Sequence, residues 1–314
     1  MLFVCSGNDG VSPIIRAQAE SLKRIGIDLE IIPVVGKGYH GYFRFIKILR
    51  KHIRKTKPDL IHAHYSFCGI IAALSSRKKV ITSLMGSDVN QTGIWRFIIK
   101  IYIKFVWKKT IVKSEDMRKK IGIKNTIVIP NGVDIEKFKP MDKRKCREEI
   151  GWDQTKKIIL FAGNPERPEK NYALARQSVL TIERDDVELK VVYGMKHSQI
   201  PLMLNAADLL LLTSKWEGSP NIVKEAMACN IPVVSTDVGD VRLLFGNVAG
   251  FNLVDHNMEE ICKSISSLLK SEQINEGRAQ IIKLKMDSVS IARRLLALYK
   301  DALAKKQIRY KEHE

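Results

Sequence analysis

With 314 residues, 45% apolar and 28% charged, the chain can hold two cores of ~150 residues and is too mixed for a fibre or a long disordered tail. Its five cysteines, spread from Cys5 to Cys262 without a CxxC pair, argue against a disulfide scaffold or structural zinc and for a reducing, cytoplasmic setting. The formal charge of +19 is uneven: residues 1–140 hold 26 Lys and Arg against 10 Asp and Glu, the remainder 27 against 24, so one half faces something anionic.

The opening MLFVCSGNDG reads as an apolar strand running into a turn, without the basic start or long apolar run of a signal peptide. No stretch approaches the ~18 uninterrupted apolar residues of a membrane span, and the greasiest, 95–107, includes Arg96, Lys100 and Lys104. Short, often β-branched runs predict strands at 2–6, 29–35, 60–63, 80–84, 110–112 and 126–129. A second series follows at 158–162, 189–193, 209–213, 232–236 and 251–254. Apolar residues recur at helical spacing over 14–25, 42–55, 171–182, 258–269 and 288–306. This alternation predicts an α/β fold of parallel sheets with helices on both faces, and eleven strands are too many for one ordinary sheet. Two doubly wound domains are expected, 1–140 and 141–287, joined through the charged run 141–152 after Pro140. The helix at 288–306 is expected to pack back on the first domain.

Ligands of open α/β sheets bind beyond the carboxyl ends of the strands, so the residues after each strand are the candidates. The first strand leads into Gly7, Asn8, Asp9 and Gly10, with Ser12 and Pro13 as N-cap and first residue of a helix. His62 and His64 lie at the end of the third strand, and Gly86, Ser87 and Asp88 follow the fourth. Residues 158–162 lead into Gly163, Asn164, Glu166, Arg167, Glu169 and Lys170 ahead of a helix, where free N–H groups and two cations suit a pyrophosphate. Taken alone, Arg167 and Lys170 read equally well as solvated surface charges. Glu217 precedes a second helix start, with Ser219 as N-cap and Pro220 as first residue, leaving the N–H groups of Asn221 and Ile222 free. Glu225 lies about two turns further on. Such carboxylates accept paired hydrogen bonds from vicinal hydroxyls, as on a ribose or hexose.

The run Glu217-Gly218-Ser219-Pro220-Asn221-Ile222-Val223-Lys224-Glu225, with two glutamates separated by seven residues, resembles glycosyltransferase family 4, retaining nucleotide-sugar enzymes of the GT-B fold. The likeness continues through Pro232-Val233-Val234 and Asp237-Val238-Gly239-Asp240. Pro130-Asn131-Gly132-Val133-Asp134 resembles the family's interdomain motif, and His62-Ala63-His64 and Gly86-Ser87-Asp88 its amino-terminal landmarks. The resemblance implies two Rossmann-like domains facing across a cleft. It implies that Glu225 binds the ribose, Glu217 the donor sugar, and Lys170 neutralises the departing diphosphate. Gly163, Asn164, Gly194, Ser219, Pro220, Asn221 and Ile222 would surround the donor, with Gly10 closing over it. No metal and no separate cofactor are implied, the nucleotide sugar being a substrate. The chain departs from the family at Asn164, where arginine is common, and at Met85, where histidine is common. Arg167 and His64 are expected to supply those polar groups.

The expected activity is transfer of a hexose-type sugar, with retention, from a nucleotide diphosphate sugar, UDP favoured over GDP. The acceptor would be a hydroxyl of a glycan or lipid-linked molecule in cell-surface polysaccharide or glycolipid assembly. An inverting enzyme would need a positioned base, for which Asp88 and Asp9 are the candidates. Segments 42–55 and 95–109 mix aromatics and cations at helical spacing, which suits an anionic membrane surface or plain packing on the sheet. The first reading places the protein at the inner face of the cytoplasmic membrane. The rival activities are a nucleotide-sugar epimerase on the same fold and a non-catalytic sugar-binding member. A basic nucleic-acid-binding protein is the rival from another class, though no helix-turn-helix, zinc or RNA-recognition signature accompanies the charge.

Overall fold

The computed structural model describes residues 1–8, 10–36, 38–271 and 275–304. The first unit contains β1 (Leu2–Ser6), α1 (Pro13–Arg24), β2 (Glu30–Val34), α2 (Gly38–Thr56), β3 (Leu60–His64), α3 (Ser66–Ser75) and β4 (Lys79–Ser83). It continues with α4 (Gly86–Val89), α5 (Gly93–Ile101), β5 (Lys109–Val112), α6 (Glu115–Ile121) and β6 (Thr126–Val128). The second contains α7 (Lys143–Ile150), β7 (Lys157–Ala162), α8 (Tyr172–Leu180), β8 (Val187–Val192), α9 (Ile200–Ala206), β9 (Leu209–Leu212) and α10 (Asn221–Ala228). Then come β10 (Val233–Thr236), α11 (Val241–Phe245), β11 (Phe251–Val254), α12 (Met258–Lys270), α13 (Gly277–Lys283) and α14 (Ser288–Leu303).

Two parallel sheets result, in the orders β2-β1-β3-β4-β5-β6 and β11-β10-β9-β7-β8. All eleven strands are those the apolar runs predict, with bounds moved by at most two residues. Interior strands such as β3 and β9 are buried along their whole length, whereas edge strand β8 is half-exposed and carries Glu188 and Lys190. Pro33 lies in edge strand β2, where a missing N–H leaves no ladder bond unmade on the open side. The strand order reverses between β1 and β3 in one sheet and between β7 and β9 in the other. Loops that leave these strands in opposite directions open a crevice at the sheet edge. Both crevices face the same interdomain cleft.

The units are joined by backbone as well as packing. Val133 N donates to Met286 O at 3.0 Å and Ser288 N to Val133 O at 2.8 Å. Gly132 makes this approach feasible, since a Cβ there would sit 2.6 Å from Ser288 Cα. Helix α14 buries Ile291, Leu295, Leu298 and Tyr299 against the first unit, where it packs on α1, each side chain worth roughly 1.5–3 kcal/mol. Its polar ties are Tyr299 Oη to His62 Nδ1 at 2.7 Å and Lys109 to Asp301 at 2.8 Å.

Candidate active site

The two strand-order reversals meet at a cavity of about 350 Å³. Ser12 and Tyr65, after β1 and β3, line it from one side with Met85, Gly86 and Lys113. Arg167 and Lys170, after β7, and the stretch from Trp216 to Ile222, after β9, line it from the other. The main chains touch across it: a Cβ at Gly86 would lie 3.0 Å from Gly218 N.

Lys170 closes a 3₁₀ turn after β7, and its Nζ lies 2.5 Å from Glu217 Oε1. Ser214 Oγ donates to the same oxygen at 2.9 Å. Lysine and glutamate therefore neutralise each other on the cleft wall. The stem of Lys170 lies against Gly163, whose absent Cβ would be 3.5 Å from Lys170 Cδ at a φ of +154°. Arg167 lines the cavity but is half-exposed and paired with Glu169, while Asn164 Oδ1 accepts from Glu166 N at 2.9 Å and shapes the loop.

At the second helix start, the sequence expectation is off by one residue. Pro220 occupies the cap position and α10 begins at Asn221. Ser219 makes no cap bond; its hydroxyl donates to Asp240 Oδ2 at 2.7 Å and accepts from Lys224 Nζ at 2.5 Å. The same ammonium donates to Asn131 O in the interdomain motif at 2.9 Å. Burial pushes the Asp240 carboxyl up and the Lys224 ammonium down towards neutrality, and their mutual attraction opposes both. Asn221 and Ile222, the first two residues of α10, line the cavity, and the buried Oδ1 atoms of Asn131 and Asn221 have no partner among the described residues. Ser12 similarly precedes α1 without a side-chain cap bond.

Glu225 lies on an adjoining cavity of about 470 Å³, which shares Ile14 and Asn221 with the first. Its Oε1 is 3.0 Å from His197 Nε2, and His197 Nδ1 is 2.7 Å from Lys137 Nζ. Because the ammonium can only donate, Nδ1 is the acceptor and Nε2–H points at Glu225. One carboxylate oxygen is thereby fixed and the other left for a ligand.

Several candidates lie elsewhere. His64 is fully buried in the first sheet and lines neither cavity: it stacks on His62 at 4.5 Å, edge-on to Phe3, with both ring nitrogens unpartnered among the described residues. It cannot stand in for a cleft histidine. Asp88 is also buried, accepting from Ser66 N, Ser66 Oγ and Met85 N, which makes it a loop anchor rather than a base; burial raises its carboxyl. Gly10 and Gly194 adopt positive φ of 79° and 72° with open space where a Cβ would stand, and line neither cavity. Asp9 lies outside the described residues.

Burial holds both His62 and His64 well below the usual value of 6.5, helped by the nearby Lys113 charge. The unfolded chain therefore takes up protons first as pH falls, so stability drops through and below about 6.5. We expect Tm to fall from pH 7 to pH 5, with a shallower slope in His64→Leu; parallel slopes in a pH-resolved melting series would contradict this.

The sequence places Tyr65 at the end of the third strand but singles out neither His197 nor Lys113. His197 is adjacent to Glu225 only in space, through the β8 loop. Lys113 directly follows β5 and was open to the same strand-end rule.

The geometry has counterparts. A family model for "Glycosyltransferase Family 4" matches residues 3–137 and one for "Glycosyl transferases group 1" matches residues 187–285. The chain is 28% identical to the putative teichuronic acid biosynthesis glycosyltransferase TuaC of Bacillus subtilis, over 62% of this chain and 57% of that protein. It is 26% identical to the Escherichia coli UDP-Gal:alpha-D-GlcNAc-diphosphoundecaprenol alpha-1,3-galactosyltransferase, over 71% of this chain and 68% of the relative. The match to TuaC thus spans less than two thirds of that protein. Among solved structures, sucrose-phosphate synthase of Thermosynechococcus elongatus superposes with a TM-score of 0.81 at 14% identity, covering 96% of this chain and 98% of that one. HepE of Anabaena, in complex with UDP and glucose, gives 0.77 at 16% identity, covering 96% of this chain and all of the other. Two facing parallel-sheet units, a family model matching within each of them, and a carboxylate-bearing helix after β9 agree: the chain belongs to glycosyltransferase family 4 and has the GT-B fold.

Proposed function

We propose that the protein is a retaining glycosyltransferase that moves a hexose-type sugar from a nucleotide diphosphate sugar, UDP favoured over GDP, to a hydroxyl of a glycan or lipid-linked acceptor. The observation that carries this is the pair of adjoining cavities, one presenting a half-used Glu225 carboxylate and the other a lysine beside free helix N–H groups. A ribose on Glu225 would put the diphosphate over the start of α10 and beside Lys170. The sugar would then lie at Glu217 and Gly218. As the sugar–phosphate bond breaks, negative charge grows on the diphosphate, and fixed cations there stabilise it without reorganisation. The departing oxygen is the group nearest the incoming hydroxyl and takes its proton on the same face. Lys170 and Arg167 serve this site in place of a metal. Gly163 lets the Lys170 stem lie close; Asn164 holds the loop, while Gly10 and Gly194 shape turns at the rim.

Titration calorimetry with UDP, GDP, ADP and a duplex oligonucleotide tests the reading. One nucleotide should bind, and Glu225→Ala should weaken it about 10- to 100-fold, the worth of one hydrogen bond to a charged group. Binding of the oligonucleotide alone would sink it. A donor-only incubation that yields an isomerised nucleotide sugar would favour the epimerase instead.

The acceptor side points to an anionic membrane surface. Helix α2 turns Phe45, Leu49 and Ile53 into the core, so its described apolar face is occupied by packing; the Tyr42 and Phe43 side chains lie outside the described residues. Helix α5 differs. It runs into a π turn, Tyr102–Val106, burying Ile99 and Ile103 while leaving Ile94 70%, Phe97 64% and Phe105 80% exposed beside Arg96 and Lys104. No helix among the described residues is long and apolar enough to cross a membrane. Partial insertion of α5 suits this pattern. Co-sedimentation with phosphatidylglycerol vesicles should exceed that with phosphatidylcholine, and Phe97→Ser with Phe105→Ser should reduce it at least tenfold. Equal partitioning of wild type and double variant would exclude α5.

A further inference from the structure

Sheet edges expose unmade main-chain hydrogen bonds, and most of the edges here are blunted by ordinary means. Strand β2 carries Pro33, β6 has three residues and β11 four. Strand β8 differs: it has six residues, no proline, and no second strand beside it among the described residues. Its only charges are Glu188 and Lys190, opposite in sign and paired with each other.

The open side of β8 has a definite phase. Lys157 N donates to Asp186 O and Gly163 N to Val192 O, so the even-numbered residues of β8 bond to β7. By the alternation of a strand, the main-chain groups of Val187, Leu189 and Val191 point away from β7. Val187 N is taken by Arg184 O in the preceding turn, whereas the outward groups of Leu189 and Val191 have no partner among the described residues. The side chains of Glu188 and Lys190 share one face of the sheet. On the other face α8 packs on β8, leaving Val191 39% exposed and Leu180, the last residue of α8, 67% exposed.

We infer that the protein forms a homodimer in which β8 pairs antiparallel with β8 of a second copy, about a two-fold axis through Leu189. In this register Leu189 faces its own counterpart and Val187 faces Val191, the residues whose main-chain groups point outward, as hydrogen-bonded pairs require. Glu188 then falls opposite Lys190 at the non-hydrogen-bonded positions, where Cα atoms approach to about 4.5 Å, and symmetry repeats the ion pair. Moving the axis by one residue sets Glu188 against Glu188 or Lys190 against Lys190, like charges directly opposite. One register alone thus satisfies both backbone and charge. The two five-stranded sheets become continuous, with strands antiparallel across the joint. The clefts consequently face in opposite directions, and neither copy covers the other's. The dimer does not depend on the chemistry of the cleft.

Sedimentation velocity across a concentration series tests the pairing, using the full chain beside Glu188→Lys, Lys190→Glu and Val191→Pro. Wild type should pass from monomer to dimer as concentration rises. Each charge variant sets like charges opposite each other and should weaken the dimer at least about tenfold. Mixed in equal amounts, the two charge variants should associate with each other at close to wild-type strength, because opposite charges then meet at both positions. Val191→Pro removes an outward N–H while sparing the ladder to β7, so it should weaken the dimer with little change in Tm. A wild type that stays monomeric at every concentration would overturn the pairing. So would a dimer that a folded Val191→Pro leaves intact, or charge variants that associate no better together than apart.

Discussion

Lys170→Met should lower kcat about 10²- to 10³-fold with a smaller change in KM for the donor. The expected size is that of removing one preorganised charge from a position where charge develops, about 2.7–4 kcal/mol. In the unliganded protein the ammonium is held by Glu217 at 2.5 Å, on side chains 18% and 17% exposed. That pair is a partly screened contact, so its loss should change stability by no more than about 1 kcal/mol. The separation of a large kinetic effect from a small thermodynamic one is the signature of a group that acts on the departing diphosphate. Lys170→Arg should retain part of the activity, since the charge survives in a different shape. The check is steady-state release of free nucleotide at saturating donor, paired with denaturation of the same samples. A change in kcat below threefold would remove Lys170 from the reaction.

Lys224→Met should act in the opposite sense, through the fold. Lys224 is fully buried, linking Asn131 O at 2.9 Å and Ser219 Oγ, with Asp240 at 3.9 Å. Removing it leaves Asp240 a buried carboxylate with a single hydroxyl donor and deprives the interdomain motif of its tie to α10. The expected loss is about 3–5 kcal/mol. Adding Asp240→Asn to the same chain should recover at least half, because the uncompensated charge is gone. Urea denaturation of the two single variants and the double variant reads this directly. A loss under 1 kcal/mol, or strict additivity, would show that the cluster is not coupled.

Fold and site were legible in the sequence to different depths. Short β-branched runs and helical periodicity carry the number of sheets and their parallel character because burial on both faces of a parallel sheet writes itself into composition. The spacing of Glu217 and Glu225 was legible because both flank one helix start, whose register is fixed by Pro220. The role of Ser219 was not, since a hydroxyl two residues before a helix can cap it or turn to a buried carboxylate that is distant in sequence. His62 and His64 share a strand face by their spacing, but which face is core depends on what packs there, and here it is Phe3 and Tyr299. The burial of Lys113 and Lys224 was not legible, since most of the 53 Lys and Arg are solvated and nothing local marks these two as exceptions.

The most direct measurement is a crystal structure of the complex with the nucleotide selected by titration. The ribose hydroxyls should lie within hydrogen-bond distance of Glu225, on the oxygen not taken by His197. The diphosphate should rest against the N–H groups of Asn221 and Ile222, with Lys170 drawn from Glu217 towards it. A nucleotide bound outside the two adjoining cavities, with Lys170 and Glu217 still paired, would contradict the account.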